Sequence, residues 1–449
     1  MTSQIPRPRP HAWVWRFARI AVRTFYRVER VGPELPSGAL LLVANHPNAL
    51  LDPAVVQATT DRQVRFLAKS TLFRHHPLSL FVRHSGAIPV YRRIDPGVDV
   101  SRNVEMFSAI EATLADGEAI CLFPEGISHD TGRLEQLRTG AARMALASEA
   151  QGSPVSIMPV GLNFDRVPRF RSRVTAVFGR AFGCDDLLDE YHRDRAAAVR
   201  HLTDRIRDRL RRLMVESDPR HDLPVVARAD RLYASARGVS RDPAERIRRR
   251  RLIATGMAEL RQHDPDRLAA ILARLREYDA DLQRFGLRDR DVEQRTSFSM
   301  AARFVVIEGT LALVLAPLAA VSLVVFGLPY WITGRISRRA PDLQSRATWQ
   351  VASGVVTNGI LITILALGVF TWLGSRAAVS AGVGLTLLAF AGLAAFERER
   401  SVLLTIRAFL ALQLTPLKAR ARLKRQRAAL ATVLEQVQAW LETRAGTRS

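Results

Sequence analysis

The chain has 449 residues and a formal charge of +23. This length exceeds one ordinary domain, and the charge favours nucleic acid, an anionic membrane surface or phosphorylated ligands as partners. The arginines are spread over helical segments and form no stripe interleaved with stacking aromatic residues, so we expect no nucleic-acid binding. The two cysteines, Cys121 and Cys184, match neither a disulfide framework nor a metal-ligand spacing, which predicts a reducing compartment and no structural metal.

The first segment, residues 1–30, predicts an amphipathic helix. Its arginines recur at helical spacing and interrupt the apolar core that a signal peptide needs, so we expect no secretion. Another face carries Trp13, Phe17, Ile20, Ala21 and Phe25. Such a helix can lie in the membrane interface, or it can pack on the next domain with its charges solvated, and both alternatives remain open.

Residues 31–185 show short apolar runs that alternate with helical stretches. The runs that predict strands are 39–44, 64–67, 87–91, 119–123, 155–162 and 174–178. Helical stretches lie between several of them, notably at residues 53–60 and 104–114. This order predicts an α/β domain, with a mixed sheet and flanking helices.

The composition changes twice after this domain. Residues 186–300 are highly charged and predict solvated helices, whereas residues 301–400 are strongly hydrophobic. Residues 401–449 predict a basic C-terminal helix.

Two apolar blocks, at residues 302–333 and 349–396, are long enough to enter a membrane. The second block is broken at Gly374 and predicts two crossings, whereas the first suits one tilted helix or a hairpin that never fully crosses. Basic residues lie between the blocks and after the second one, and such clusters prefer the cytoplasmic side. We therefore favour two hydrophobic hairpins in an integral membrane protein, with the α/β domain on the cytoplasmic face.

The segment NHPNALLD contains the sharpest chemical signal. Pro53 suits the first position of a helix and Asp52 its N-cap, so His46 would end a strand and Asp52 would begin the next helix. The carboxylate can then orient the imidazole and leave its other nitrogen free to accept a proton from an alcohol. The simpler alternatives are a helix cap and one of ten scattered histidines.

Two further segments follow strands in the same way. GAIPVYRR presents Arg92 and Arg93, whose guanidinium groups suit a phosphate. FPEG presents Glu125 and Gly126 in a turn. Each segment alone is common, and only their ordered combination is informative.

That combination resembles the glycerolipid acyltransferase family over about residues 35–165, with a weaker fourth block, VSIMPVGL. The resemblance implies that His46 and Asp52 are catalytic and that Arg92, Glu125 and Gly126 line the acyl-acceptor site. It also implies a role near the acceptor phosphate for Lys69. The remaining predicted substrate-binding residues are Asn45, Arg93, Ser128 and His129.

The chain departs from the family pattern at two places. Five residues separate His46 from Asp52, one more than in most members, and Ile127-Ser128 follows FPEG where most members have Thr-Arg. The usual phosphate-binding arginine is therefore missing at Ser128, for which Arg92, Arg93, Arg133 or Arg138 would have to compensate. Both departures resemble the yeast-type branch that acylates glycerol 3-phosphate or dihydroxyacetone phosphate.

The resemblance implies transfer of an acyl group from acyl-CoA or acyl carrier protein, as co-substrate, to the sn-1 hydroxyl of such an acceptor, without an acyl-enzyme and without a cofactor. The expected partners are a glycerol-phosphate-type acceptor, an acyl thioester donor and a phospholipid membrane. An alternative within the family is a lysophosphatidate acyltransferase. An alternative of another class is a non-catalytic membrane scaffold or lipid-binding protein.

Overall fold

The computed structural model describes residues 11–74, 79–92, 95, 97–240, 242–292 and 298–446, without the side chains of residues 100, 290, 298–308, 314, 445 and 446. The chain divides into two compact units. The first contains residues 1–225, 242–254 and 342–348, and the second contains residues 226–241, 255–341 and 349–449.

The first unit is built on a seven-stranded sheet of the order β1-β7-β6-β2-β5-β3-β4. The strands are β1 Arg27–Val31, β2 Leu40–Ala44, β3 Val64–Lys69, β4 Ile88–Val90, β5 Ala119–Leu122, β6 Ser156–Phe164 and β7 Arg173–Phe178. Neighbouring strands run parallel except β6 and β7, which are antiparallel. The predicted mixed sheet is confirmed, although β1 was not predicted.

Helices cover both faces of this sheet. They are α1 Ala12–Phe25, α2 Leu51–Ala58, α3 Ser79–His84, α4 Asn103–Ala115, α5 Gly140–Ala150, α6 Leu188–Arg193 and α7 Arg195–Arg211. Alternate residues of the central strands, such as Leu41, Ile120 and Ile157, are buried against α4, α5 and α7. All five residues of β2 are buried, as expected for a central strand covered on both faces.

The core of this unit continues beyond residue 185, where we had placed the end of the domain. Leu202, Ile206 and Leu210 of α7 are buried in the same cluster as the strand residues, and the cluster reaches Met214. The charged composition hid this face, because the apolar residues of α7 recur at helical spacing between exposed arginines. The charged region therefore begins with helices that belong to the sheet domain.

Helix α1 packs on the sheet domain, which is one of the two alternatives left open by its sequence. Val14, Ala18, Val22 and Phe25 are buried, so the helix packs on the domain, and the Trp15 ring lies 5.7 Å from that of Phe66 in β3. Three large apolar side chains remain exposed, namely Trp13, Phe17 and Ile20. They recur at helical spacing and form the exposed apolar strip of α1.

The second unit is helical. Its elements include most of α8 Leu223–Arg237, the end of α9 Pro243–His263, and α10 Pro265–Arg284, α11 Phe298–Ser337, α12 Leu343–Leu414 and α13 Leu417–Gly446. Helix α10 packs against α13. Arg228 of α8 bridges two carboxylates, with Nε 2.8 Å from Oδ1 of Asp279 and Nη1 2.8 Å from Oδ2 of Asp289.

Two helices of this unit are long and apolar enough to cross a membrane, at Gly309–Ser337 and Leu343–Leu414. Helix α12 leaves helical geometry at Gly374, as its sequence predicts. The hairpin favoured for residues 302–333 is wrong, because α11 is one uninterrupted helix that contains Pro317 and Pro329. A proline costs an apolar helix one main-chain hydrogen bond, whereas a turn within lipid would expose several unpaired backbone groups.

Candidate active site

Four segments with predicted site residues follow strands that run parallel to one another, β2, β3, β4 and β5. Their carboxyl ends meet at one edge of the sheet, where ligands of open α/β sheets generally bind. His46 follows β2, Lys69 ends β3, Arg92 follows β4 and Glu125 follows β5. The topology therefore brings the predicted motifs to one place.

The loop from β2 to α2 presents His46 and Asp52. The helix begins at Leu51 with Leu50 at its N-cap, so Asp52 lies within the first turn and the predicted cap is wrong by two residues. The helix thus starts two residues before Pro53, and Ala49, just ahead of its N-cap, adopts a positive φ of 42°. Asp52 consequently points back along the loop towards His46.

The two side chains form a hydrogen-bonded pair. Nδ1 of His46 lies 2.8 Å from Oδ2 of Asp52, whose side chain is fully buried. The imidazole stacks on Phe123, with ring centroids 4.2 Å apart, and 18% of its side chain remains exposed. Within the described part of the chain, no hydrogen-bond partner occupies Nε2, so this nitrogen is available to a substrate.

Burial raises the pKa of Asp52 above its ordinary value, while the hydrogen bond and charge of His46 and the Asn48 N–H act in the opposite direction. The Asn48 N–H donates to the same Oδ2 at 2.7 Å. The Asn48 amide in turn donates to the Tyr26 hydroxyl at 2.9 Å, and that hydroxyl donates to the Val167 carbonyl. A buried network of hydrogen bonds thus holds the Asp52 carboxylate in place.

The turn after β5 holds the backbone of His46 on both sides. Oε1 of Glu125 accepts the His46 N–H at 2.8 Å, and the His46 carbonyl accepts the His129 N–H at 3.1 Å. Oε2 of Glu125 accepts from Nε2 of His129 and from the Glu135 N–H. Protein donors therefore engage both oxygens of this buried carboxylate, and its position fits the role of a strut for the catalytic loop.

The two departures from the family pattern touch each other. Oγ of Ser128 accepts the Ala49 N–H at 2.9 Å. Ala49 carries the positive φ that the longer loop requires, a conformation that costs free energy in a residue with a Cβ. A serine in this position therefore stabilises the extra residue between His46 and Asp52.

The basic residues predicted to bind phosphate differ in their surroundings. Nε and Nη2 of Arg92 contact Asp95 at 3.0 and 2.7 Å, and Nη1 donates to the Gly126 carbonyl at 3.1 Å. The hydrogen bond from Arg92 lowers the pKa of Asp95. Lys69 is exposed at the end of β3, and Arg93 lies outside the described residues.

Asn45 serves the sheet. Its Nδ2 donates to the Leu162 carbonyl at 3.1 Å and its Oδ1 accepts the Leu162 N–H. The side chain thereby extends the pairing of β2 with β6 by one residue. Both polar groups of this predicted substrate-binding residue are engaged within the protein.

Cys121 lies in β5, fully buried beside this site. Burial raises the pKa of its thiol far above the ordinary range, so a thiolate nucleophile is disfavoured. Among the described residues, no group of three histidine, cysteine or acidic side chains is arranged to hold a metal.

Sequence reasoning missed the roles of Tyr26, Asn48 and Asp95. The sequence carried a signal for Asn48, because its polar side chain lies in a loop one residue longer than in most family members and needs a hydrogen-bond partner. Tyr26 carried none, since its contacts with Asn48 and Val167 depend on how distant segments fold, whereas the pair of Arg92 and Asp95 is three residues apart and was overlooked.

Two known protein families match parts of this chain. Residues 23–163 match the family described as Acyltransferase, and residues 225–344 match the family described as Glycerol-3-phosphate acyltransferase 2 C-terminal domain. A solved structure, the 1-acyl-sn-glycerophosphate (LPA) acyltransferase PlsC from Thermotoga maritima, aligns with a TM-score of 0.30 at 15% identity, over 44% of this chain and 78% of that one.

Three yeast proteins are similar in sequence. An uncharacterised acyltransferase of Schizosaccharomyces pombe is 30% identical over 45% of this chain and 30% of its own length. Glycerol-3-phosphate O-acyltransferases 1 and 2 of Saccharomyces cerevisiae are 28% and 29% identical, over 56% and 44% of this chain and 34% and 27% of their own lengths. The chain therefore spans about a third of the length of the relatives it matches. Residues 23–163 thus form an acyltransferase domain, which is followed by a region that matches the Glycerol-3-phosphate acyltransferase 2 C-terminal domain.

Proposed function

We propose that the chain transfers a fatty acyl group from an acyl thioester, acyl-CoA or acyl carrier protein, to the sn-1 hydroxyl of glycerol 3-phosphate or dihydroxyacetone phosphate. The observation that carries this proposal is the pair formed by His46 and buried Asp52, with Nε2 of the imidazole available to a substrate. The similarity to two yeast glycerol-3-phosphate O-acyltransferases supports the choice of acceptor.

In the proposed reaction His46 acts as general base. Asp52 accepts a hydrogen bond from the Nδ1–H of His46 and so fixes the tautomer in which Nε2 can take a proton. As Nε2 removes the proton of the acceptor hydroxyl, the oxygen attacks the thioester carbonyl, the new ester bond forms and the C–S bond breaks. The thiol leaves with the proton that His46 returns, so the enzyme ends unchanged.

The rigid support of His46 fits this role. The strut at Glu125 and the His129 N–H fix both backbone groups of the histidine, while Phe123 fixes the plane of its ring. Holding two substrates and a base in a reactive arrangement supplies much of the rate enhancement in such bimolecular reactions.

We also propose that the enzyme is membrane-bound. The two apolar helices α11 and α12 support this, and so does the exposed apolar strip of α1. Phe17 of this strip lies 6.1 Å from Phe81 of α3, where Leu80 is also exposed. Arg16 is also exposed on α1, and its charge suits anionic headgroups.

We place the catalytic domain on the cytoplasmic face, in keeping with its two unpaired, buried cysteines. A single crossing by α11 would put Arg335, Arg338 and Arg339 on the far side, against the charge preference of short loops. An α11 that lies in the interface avoids this cost.

The test uses the purified full chain in phospholipid vesicles, with acyl-CoA and radiolabelled acceptors supplied one at a time. We expect acylation of glycerol 3-phosphate or dihydroxyacetone phosphate, and a loss of at least about 10³-fold in His46→Ala. His192→Ala is the control, because His192 is exposed on α6.

Other outcomes distinguish the alternatives. Acylation of lysophosphatidate alone would show that the acceptor is already acylated. Activity of His46→Ala equal to that of the parent would contradict the proposed base, and binding of vesicles without any transfer by the parent would indicate a scaffold.

A further inference from the structure

Basic side chains surround the turn that contains Glu125 and Gly126, and most of them are already paired with acids. Arg92 contacts Asp95 through two nitrogens, and Nη1 of Arg133 lies 2.6 Å from Oδ2 of Asp218. Two further pairs join Arg220 to Asp130 and His129 to Glu125. A cation whose donors are taken by a carboxylate has few left for a phosphate.

Arg138 is different. It is exposed, and among the described residues its guanidinium group has neither an ion pair nor a hydrogen bond. Lys69 likewise makes no ion pair there, although its charge acts on Asp95 at longer range. Arg138 thus offers a complete fork of donors, which matches the oxygens of a phosphate monoester.

The position of Arg138 is fixed by the catalytic turn. Its N–H donates to the Pro124 carbonyl at 2.7 Å, and its side chain lies across Gly126. A Cβ at residue 126 would collide with Nε of Arg138 and lie 2.7 Å from its Cδ. Gly126 has a φ of 75° and leaves the space that this side chain fills.

This placement connects the cation to the base. Gly126 follows Glu125, whose carboxylate holds the N–H of His46. The Gly126 carbonyl is held by Arg92, so Arg92 stabilises the turn while Arg138 passes over it. Arg138 therefore supplies positive charge at a turn in which Ser128 stands where most family members have an arginine.

We propose that Arg138 binds the phosphate of the acceptor, in place of the arginine that is absent at Ser128. The inference rests on the proposed function and chooses Arg138 from the four candidates that the sequence offered, the others being Arg92, Arg93 and Arg133. It makes Arg138 a substrate-binding residue with no part in proton transfer.

The experiment measures KM and kcat for glycerol 3-phosphate with the full chain in vesicles. Arg138→Ala should raise KM about 10- to 100-fold with a smaller change in kcat, because the acceptor phosphate loses its charged hydrogen-bond donor. Arg138→Lys keeps the positive charge but lacks the forked guanidinium group, so its KM should lie between those of the parent and Arg138→Ala. Inorganic phosphate, as a competitive inhibitor, should lose potency in the same order.

Arg133→Ala is the matched control, since Arg133 is exposed on the same segment but paired with Asp218. An unchanged KM in Arg138→Ala, with an active parent and unchanged melting temperature, would overturn the inference and leave the proposed function intact. A parent that acylates no phosphorylated acceptor would overturn both. If Arg138→Ala has a lower melting temperature than the parent, its inhibition by inorganic phosphate is measured below that temperature. Unaltered potency of phosphate under those conditions also contradicts the inference.

Discussion

Two histidine–carboxylate pairs lie side by side at the carboxyl edge of the sheet. In one, His46 contacts Asp52 through Nδ1 and keeps Nε2 available. In the other, His129 contacts Glu125 through Nε2, and its Nδ1 lies 3.3 Å from the Thr131 hydroxyl. An imidazole and a carboxylate therefore occur in two arrangements. The first leaves a ring nitrogen available to a substrate, whereas in the second both ring nitrogens are engaged.

The difference separates a reactive pair from a supporting one. A general base needs a nitrogen that a substrate can reach, which His46 has and His129 lacks. The Glu125 carboxylate also accepts two main-chain N–H groups, so its pairing with His129 belongs to a network that fixes the loop. The composition of a pair thus does not reveal its role, whereas its remaining hydrogen-bonding capacity does.

The largest effect on turnover is expected for Asp52→Asn. The amide preserves the volume but leaves His46 in a tautomer whose Nε2 carries the proton, so turnover should fall by roughly 10³- to 10⁴-fold with little loss of stability. Single-turnover rates and melting curves check this. Asp61→Asn is the control, because Asp61 is exposed just beyond the same helix. Near-normal turnover would remove the carboxylate from the mechanism.

A smaller effect is expected for Glu125→Gln. One oxygen can still accept the His46 N–H, but the amide now faces the Glu135 N–H with a donor, which should cost about 1–3 kcal/mol of stability. Turnover should fall about 10- to 100-fold, because the backbone of His46 is less firmly held. Urea unfolding and steady-state rates measure both quantities. Glu135→Gln is the control, since it leaves in place the main-chain N–H through which residue 135 contacts the Glu125 carboxylate. A loss as large as that of Asp52→Asn would assign Glu125 a direct role in the chemistry.

The smallest effect is expected for His129→Gln, and it should depend on pH. Burial alone lowers the pKa of His129, but the hydrogen bond to Glu125 and the charges of Glu125, Glu135 and Asp130 outweigh it and raise the pKa. A raised pKa stabilises the fold fully below the unfolded value of about 6.5 and loses that contribution as pH rises through the folded value. The parent should therefore melt roughly 2–4 °C above the variant near pH 6, with the difference shrinking as pH rises. A difference that grows with pH would contradict the assigned pairing.

The order of strands and helices in the sheet domain was predictable, because buried parallel strands are continuous apolar runs and turns separate them. The end of the domain was not, since α7 carries its apolar residues between arginines and its average composition is polar. Nor was the continuity of α11, because Pro317 and Pro329 disfavour a helix locally and only the cost of an unpaired backbone overrides them.

Within the site, the family pattern predicted which residues converge but not what each one touches. His46 and Asp52 meet as expected, although their catalytic roles remain predictions. The engagement of Asn45 by Leu162 and of Glu125 by His46 depends on main-chain positions that no local pattern specifies. The position of Arg138 was equally hidden, since it follows from the φ of Gly126.

The hydrogen bonds between Asn45 and Leu162 join residues separated by 117 positions. The residue that precedes the catalytic histidine is thus anchored by a strand that leaves the ribosome long after it. A nascent chain that ends before β6 has His46 and Asp52 but lacks the hydrogen bonds that anchor their loop to Leu162. Such an intermediate should be inert towards thioesters, so that the enzyme gains its reactivity only once the sheet has closed around β2.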